Sequence, residues 1–428
     1  VRRRRFLSLA ATGAASTAGL ALAGCSDDSP AGGEVALSVV AADYGDPGGN
    51  NGSQQYWDAL ADAFERRNPG ISVDVSVLHW NDVDAKVGEM VKNGEPPDIA
   101  QIGSYASYAA KDMLYSAADL LPIPVQADFL PSLAAVGEVH RVQYGLPFVA
   151  STRRLFYNKD LFAGAGLDPD EPPRSWGDLR DAARALKAAG VKHPYGLPLG
   201  PEEAPAETMM WMLGEDGGYT DTTGGYAIDS AANTAAFEWL RDELVSPGLT
   251  GPDPARTDRQ QIFDAFSGGD VGMLNGHPTL MQQAARDKVR YGTTRLPGKN
   301  GPAATTMGVA DWIMAFKKKG HRKEAGKFLA FAFSEKNHYD FVSRYELLPV
   351  TTSASERMQS DDERRHLRKF LDQLPTAEFY PAGKVSWGKV SSQIKKAVGE
   401  AVAPDRSPAQ VLGAVQRTAE TAEAQADG

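Results

Sequence analysis

Cysteine is almost missing from this chain: Cys25 is the only one in 428 residues. That excludes an intramolecular disulfide framework and any multi-thiolate metal site, so the core must hold without covalent staples. An excess of positive charge is missing too. Lys and Arg number 45 against 55 Asp and Glu, a formal net charge of −10 that repels polyanions, so no nucleic-acid partner is expected. The seven histidines are scattered without metal-ligand spacing, and no H-E-x-x-H, nucleophile elbow or dinucleotide fingerprint occurs. No catalytic residue, metal or cofactor is therefore expected. Gly292 to Lys299 has five residues between its glycines and Asn300 where a phosphate loop needs Ser or Thr, so it reads as a plain turn. What is present is apolar material: 42% hydrophobic residues in a chain of this length suffice for two packed cores and exclude a disordered or collagen-like chain.

Arg2 to Arg5 precede a mildly apolar run from Phe6 to Ala23, the charged-then-greasy order of an export signal. The run holds Thr12, Gly13, Ser16, Thr17 and Gly19 and is short for a bilayer span. It ends in Leu22-Ala23-Gly24-Cys25, which resembles a bacterial lipobox, with the Cys25 thiol as the lipid anchor. Acyl chains on the thiol and on the new amino terminus supply the double anchor that stable membrane attachment requires. Arg3-Arg4-Arg5-Phe6-Leu7 also fits the twin-arginine export pattern. Residues 1–24 are thus expected to be a signal peptide and 25–34 a lipidated tether.

From Val35 onward strands and helices alternate, the pattern of an α/β fold with a largely parallel sheet. Val35–Ala42 is a strand candidate. A helix with Ser53 as cap follows, with Trp57, Leu60, Ala61 and Phe64 on one face, and stops at Asn68-Pro69-Gly70. Ile71, Val73, Val75 and Val77 alternate as a strand, Asn81 is placed to cap the next helix, and Asp98–Gly103 reads as a third strand. Ser175 with Asp178 three residues on is a capping box opening a helix. The Ala/Glu-rich end after Asp405 reads as a solvated helix. Trp57, Trp176 and Trp239 lie on helix faces and are expected in the core.

Ligands in open α/β sheets sit beyond the carboxyl ends of the strands. Here those positions are polar or aromatic: Asp43-Tyr44, Trp80-Asn81, Ser104-Tyr105, Asn275-Gly276-His277 and, near Met307, the pair Asp311-Trp312. Aromatic faces beside hydrogen-bonding groups suit a sugar, whose C–H faces stack while its hydroxyls need donors and acceptors. Arg153 and Arg154 read as solvated, with Arg153 the better site candidate because it lies at the expected lobe crossing; a lone His277 reads as structural.

From about Val35 to the end the chain resembles the extracytoplasmic solute-binding proteins of ABC importers, in the maltose-binding-protein-like carbohydrate group. The resemblance rests on FERRNPGISVDV, PPDIAQIG, YGLPFVASTRRLFYNKDLFAGAG, the Pro-Pro-x-Ser-Trp helix start, the Asp216-Gly217-Gly218-Tyr219 turn, FSGGDVGMLNG and GVADWIMAFKKKGHRKEAGKFLAFAFS in that order. It implies a two-lobe periplasmic-binding-protein-like (type II) fold, with 35–150 plus 297–346 in one lobe and 151–296 plus 347–428 in the other. Crossings fall near Ala150–Thr152, Leu296–Pro297 and Glu346–Pro349. Family binding positions fall on Asp43, Tyr44, Trp80, Ser104, Tyr105, Ser151, Arg153, Glu207, Trp211, Asn275 and Trp387. The chain departs from the maltose-binding pattern at Gly103, Gly388 and Ser391, which replace Trp, Tyr and Arg, and Asp311-Trp312 has no counterpart there.

The resemblance implies a monomeric, lipid-anchored receptor that captures a sugar or oligosaccharide by lobe closure and hands it to a membrane permease driven by a separate ATPase. A glycerol phosphodiester or polyol is the alternative ligand, with Arg153 as its charged fork. An exported glycoside hydrolase is the alternative from another class, since acidic residues are plentiful, although no carboxylate pair stands out.

Overall fold

A computed structural model describes residues 34–45 and 51–426. The expected signal segment, the expected tether up to Gly33 and Cys25 lie outside the described residues, as does the side chain of Asn81. Nine strands make the two main sheets: β1 (Val35–Ala42), β2 (Ile71–Leu78), β3 (Ile99–Ile102), β4 (Leu146–Thr152), β5 (Arg154–Asn158), β6 (His193–Gly196), β7 (Val271–Gly276), β8 (Tyr291–Thr294) and β9 (Gly308–Ala315). The first sheet has the order β2-β1-β3-β9-β4 and the second β8-β5-β7-β6, so each lobe of the expected two-lobe fold is built on its own sheet. The helices that bear on the site are α1 (Gln54–Glu65), α2 (Trp80–Lys92), α3 (Trp176–Ala188), α4 (Ala204–Leu213), α5 (Ala231–Trp239), α6 (Arg259–Ser267), α7 (Trp387–Ala397) and α8 (Pro408–Ala426).

Apolar spacing decides how the elements pack. On α1 Trp57, Leu60, Ala61 and Phe64 recur at helical intervals and are all buried, and the Trp57 ring stacks on Phe148 with centroids 5.4 Å apart. Gly70 then takes φ 89°, a turn that a side chain would strain, and feeds β2. Along β2 Val73 and Val75 are buried between exposed Asp74 and Ser76, as befits an edge strand with one wet face. β3 is buried at all four positions, Gln101 included. The Ser175–Asp178 capping box forms as expected, and Trp176, Leu179, Ala183 and Leu186 of α3 are buried.

Several local expectations need correction. Ser53 makes no cap hydrogen bond to α1, because its hydroxyl is committed to Asp43. Asn81 lies inside α2, whose first hydrogen bonds return to the carbonyl of His79. Gly292 to Thr294 belong to β8 rather than to a turn, pairing with β5. The last helix is not solvated all round: Leu412, Val415, Ala419 and Ala422 of α8 are buried. Nor are the sheets largely parallel. β1 pairs in parallel with β2 and β3, but β9 is antiparallel to both neighbours, and β5 is antiparallel to β7 and β8. The cause is the chain path: β9 enters the first sheet from the lobe junction, where Gly308 pairs with Thr152, and so runs away from the end toward which β4 runs.

The crossings also differ from the expected boundaries. The first falls at Arg153, between β4 and β5. The second lies later than Pro297, whose carbonyl is held by the Trp176 indole at 3.0 Å, and falls near Thr306, whose hydroxyl donates to the carbonyl of Arg153 at 2.7 Å. The third lies later than Pro349. Leu130 N–H donates to the Val350 carbonyl and Ser353 N–H to Asp128, so the chain stays against the first lobe through Ser353. Lys369–Gln373 then lies at the junction, where the Thr152 hydroxyl donates to the Phe370 carbonyl and Arg154 of β5 donates to the Lys369 carbonyl at 3.3 Å. Glu378 N–H then donates to Thr306 at the junction.

Candidate functional site

The carboxyl ends of β1, β2, β3 and β4 and the start of β9 all point toward the second lobe, which meets them with the start of β5 and the end of β7. Asp43, just past β1, anchors the first edge. Its Oδ1 accepts from the Ser53 hydroxyl at 2.6 Å and from the N–H groups of Ser53 and Gly45. Burial works against this carboxylate's charge, but those hydrogen bonds outweigh it and lower its pKa. Tyr44 comes next: its N–H donates to Ser53 Oγ, and its ring meets Trp80 edge-on with centroids 5.4 Å apart. The Tyr44 hydroxyl donates to Asp311 Oδ2 at 2.9 Å. Asp311 is not at a strand end but inside β9, where the register slips between Asp311 and Trp312; such a bulge re-aims side chains. Burial, with the nearby charge of Asp84, pushes the Asp311 carboxyl up to about 7 despite the Tyr44 hydrogen bond.

The second lobe contributes an ionic cluster. Both Arg153 and Arg154 are buried, contrary to a solvated reading. Arg153 donates through Nη1 to Ser151 Oγ at 2.8 Å and pairs through Nη2 with Glu203. Arg259, at the start of α6, pairs with Glu203 through Nε at 2.6 Å and with Glu202 through Nη2. Burial would raise the Glu203 carboxyl, yet the two arginine charges hold it below the usual range. Deeper in, Glu207 on α4 is 2% exposed; its Oε1 accepts from Trp211 Nε1 at 2.8 Å, Asn275 Nδ2 at 3.2 Å and the Tyr195 hydroxyl at 3.3 Å. Burial pushes Glu207 up to about 8, with the Glu203 charge adding to it. His277 packs against Phe263, its ring nitrogen within 2.8 Å of the Thr279 hydroxyl. Burial and then the charges of Arg153 and Arg259 hold it well below its ordinary pKa, so it stays neutral.

The third component is aromatic. Trp387 opens α7, stacks on Tyr380 with centroids 5.2 Å apart, and leans on Tyr219 at 5.0 Å. Burial holds the Tyr380 hydroxyl well above its ordinary pKa, with the charges of Glu203 and Asp311 adding to it. Beside it runs an open groove of about 400 Å³, bordered by Ser132, Val136 and Glu138 on one side and Glu378, Tyr380 and Lys384 on the other. The lobes touch here: a Cβ added to Gly383 would lie 2.4 Å from the carbonyl oxygen of Glu138, so only glycine permits this approach.

Of the expected site residues, the structure brings together Asp43, Tyr44, Trp80, Ser151 and Asp311 on the first lobe and Arg153, Glu207 and Asn275 opposite, with Trp387 beside Tyr380. Ser104 is exposed at the end of β3. Three expected rings are packing groups instead. Tyr105 is fully buried against Trp312, its hydroxyl donated to the Val136 carbonyl, and Trp312 is 2% exposed. Trp211 is 3% exposed and lies against Trp176 and Trp239. Sequence reasoning missed Gln101, Asp84, Glu203, Arg259 and Tyr380. Only Gln101 had a signal, as the single polar residue in the apolar stretch Ile99–Ile102. The others come from separate segments that nothing local ties to the cleft.

Two sheets whose strand ends face each other across a polar and aromatic cleft define a two-lobed binding protein of the periplasmic type. The chain belongs to the bacterial extracellular solute-binding proteins, whose family model matches residues 48–339. A putative binding protein of Brucella abortus (strain 2308) is 28% identical over 370 residues, covering 85% of this chain and 86% of that protein. The sn-glycerol-3-phosphate-binding periplasmic protein UgpB of Escherichia coli (strain K12) is 26% identical over 317 residues, covering 69% and 71%. The fold is also that of the cyclic alpha-maltosyl-1,6-maltose binding protein from Arthrobacter globiformis, at 20% identity and TM-score 0.74 over 92% of this chain and 100% of that one. An ABC transporter solute-binding protein from Thermotoga lettingae TMO, bound with alpha-D-tagatose, matches at 20% identity and TM-score 0.77 over 91% and 100%. Among the described residues no helix is long and apolar enough to cross a membrane.

Proposed function

We propose that this solute-binding protein captures a neutral sugar or oligosaccharide in the cleft between its lobes and delivers it to an ABC permease powered by a separate ATPase, without performing chemistry on it. The observation that carries this reading is the state of the arginines. Both terminal nitrogens of Arg153 are engaged, one by Ser151 and one by Glu203, and Arg259 is held by Glu202 and Glu203. Each cation already faces a carboxylate, so the cleft has little to offer a phosphate and much to offer hydroxyls. Asp43, Asp311 and Asn275 provide hydrogen-bonding groups, and Trp80, Tyr380 and Trp387 provide ring faces for C–H surfaces. Sugar ligands in two proteins of the same fold agree with this.

A second reading, binding of a glycerol phosphoester, is favoured by the likeness to UgpB. A thermal-shift panel separates the two, since a ligand that binds only the folded state must raise the melting temperature. Neutral mono- and oligosaccharides are expected to raise it while sn-glycerol 3-phosphate does not; the reverse result overturns the sugar reading. A glycoside that is consumed rather than held would instead mark a hydrolase.

The same proposal places the protein outside the cell membrane as a monomer, anchored through Cys25 after export, with Arg3-Arg4-Arg5-Phe6-Leu7 directing the twin-arginine route. Cys25→Ala should release the protein into the soluble fraction. Retention on membranes after a high-salt wash would exclude the anchor.

A further inference from the structure

The first lobe contains a hydrogen-bond chain whose direction is fixed at its buried end. The backbone N–H of Ala42, the last residue of β1, can only donate, and it donates to Gln101 Oε1 at 2.9 Å. That forces the amide nitrogen of Gln101 to the opposite side, where Nε2 donates to the Tyr44 hydroxyl oxygen at 2.7 Å. With its oxygen occupied as an acceptor from Gln101, the Tyr44 hydroxyl sends its own proton onward to Asp311 Oδ2 at 2.9 Å. Gln101 is fully buried on β3, between β1 and β9, and can serve only this chain. Tyr44 is pinned from its backbone as well, through Ser53 and Asp43. Tyr44 engages Oδ2 of Asp311, which leaves Oδ1 as the carboxyl's other acceptor.

We infer that Gln101 is a positioning residue: through Tyr44 it locks the Asp311 carboxyl so that Oδ1 is the acceptor the first lobe offers to the bound solute. The inference deepens the proposed function and rests on the cleft being the solute site. It adds a rule of specificity. With Asp311 ionised, the solute group opposite it must be a donor, such as a free hydroxyl; an ether, keto or phosphate oxygen at that position then meets an acceptor and is rejected. Gln101 touches no ligand in this scheme. It sets polarity, and an apolar residue of similar size would fill its space without setting any.

The chain can be tested without a ligand. Asp311 is surrounded by Tyr44, Asp84, Arg153 and Glu203, and its titration reports how firmly Tyr44 donates to it. Protein labelled with ¹³C at the aspartate carboxyl carbons, with Asp311 assigned through Asp311→Asn, gives its midpoint by NMR. Tyr44→Phe removes the donor and should raise that midpoint by roughly half a pH unit or more. Gln101→Glu should do the same although Tyr44 is intact, because the introduced carboxyl competes for the Tyr44 proton. If Gln101→Glu lowers the melting temperature but leaves the Asp311 midpoint at the wild-type value, Gln101 only fills the core and the inference is overturned. Gln101→Leu provides a second check, since loss of the fixed donor should broaden or shift the Asp311 titration; a wild-type titration in this variant counts against the chain equally. Failure of every solute in the thermal-shift panel would sink the proposed function alone, because the titration needs no solute.

Discussion

In the first lobe the cleft-facing groups sit within one or two residues of the strands that carry them: Asp43 and Tyr44 follow β1, Trp80 follows β2, and Asp311 lies in β9. Their contacts are hydrogen bonds to one another and to backbone. In the second lobe Glu202 and Glu203 precede α4, Arg259 opens α6, and Tyr380 and Trp387 arrive more than a hundred residues later. Their contacts are ion pairs and stacked rings between distant segments. A sheet fixes the first set by geometry alone. The second set holds only while every charged member keeps its partner, which makes the two halves of the cleft differ in how they fail.

The largest expected effect is on the ionic side. Glu203→Gln leaves Arg153 and Arg259 facing a neutral amide in a largely buried place, a loss of about 3 kcal/mol in stability read by denaturant unfolding. Asp311→Asn, its counterpart in the first lobe, removes the charge but leaves an amide oxygen to accept from Tyr44, and should cost no more than about 1 kcal/mol. Equal losses would erase the contrast between the lobes.

The rings sharpen the comparison. Trp57→Ala empties a fully buried site in the first lobe and should cost ~3–5 kcal/mol of stability with affinity affected only indirectly. Trp80→Ala and Trp387→Ala should instead weaken sugar binding by roughly tenfold while changing ligand-free melting much less. Trp387 is 7% exposed and stacked on Tyr380, so some loss of stability accompanies its removal. Early melting with normal affinity in both variants would make these rings packing groups in either lobe.

The smallest effect concerns pH. Burial raises Glu207 from 4.5 to about 8, and Asp311 from 3.8 to about 7. The folded protein therefore holds protons that the unfolded chain has released, and stability falls as pH rises from about 4 toward 8. Glu207→Gln removes one titrating group while leaving an acceptor for Trp211 and Asn275. Its melting temperature should fall less steeply across that window than the wild type's. An unchanged slope would mean Glu207 does not titrate there.

The two halves of the cleft were also unequally readable. Asp43, Tyr44 and Trp80 were visible because a strand end is a local signal and the pocket lies where strands end. The capping box at Ser175 and the buried face of α1 were visible for the same reason, being patterns within one turn or two. The partners of Arg153 were not, since Glu203 and Arg259 are separated from it by 50 and 106 residues and meet only after folding. Tyr105, Trp211 and Trp312 show the opposite error: an aromatic beside a strand end or on a family position packs inward when a neighbouring ring takes its exposed face. Asp311 was found through a mistaken strand boundary, and the bulge that aims it left no mark in the residue types.

Closure over the solute is the central claim, and small-angle scattering tests it most directly. A sugar that raises the melting temperature in the panel is added to saturation, and the radius of gyration is compared with that of the ligand-free protein. The account predicts a smaller radius with sugar, and loss of that change in Gly383→Val, where the added side chain would meet the carbonyl of Glu138 before the lobes come together. A scattering profile identical with and without saturating sugar would contradict it.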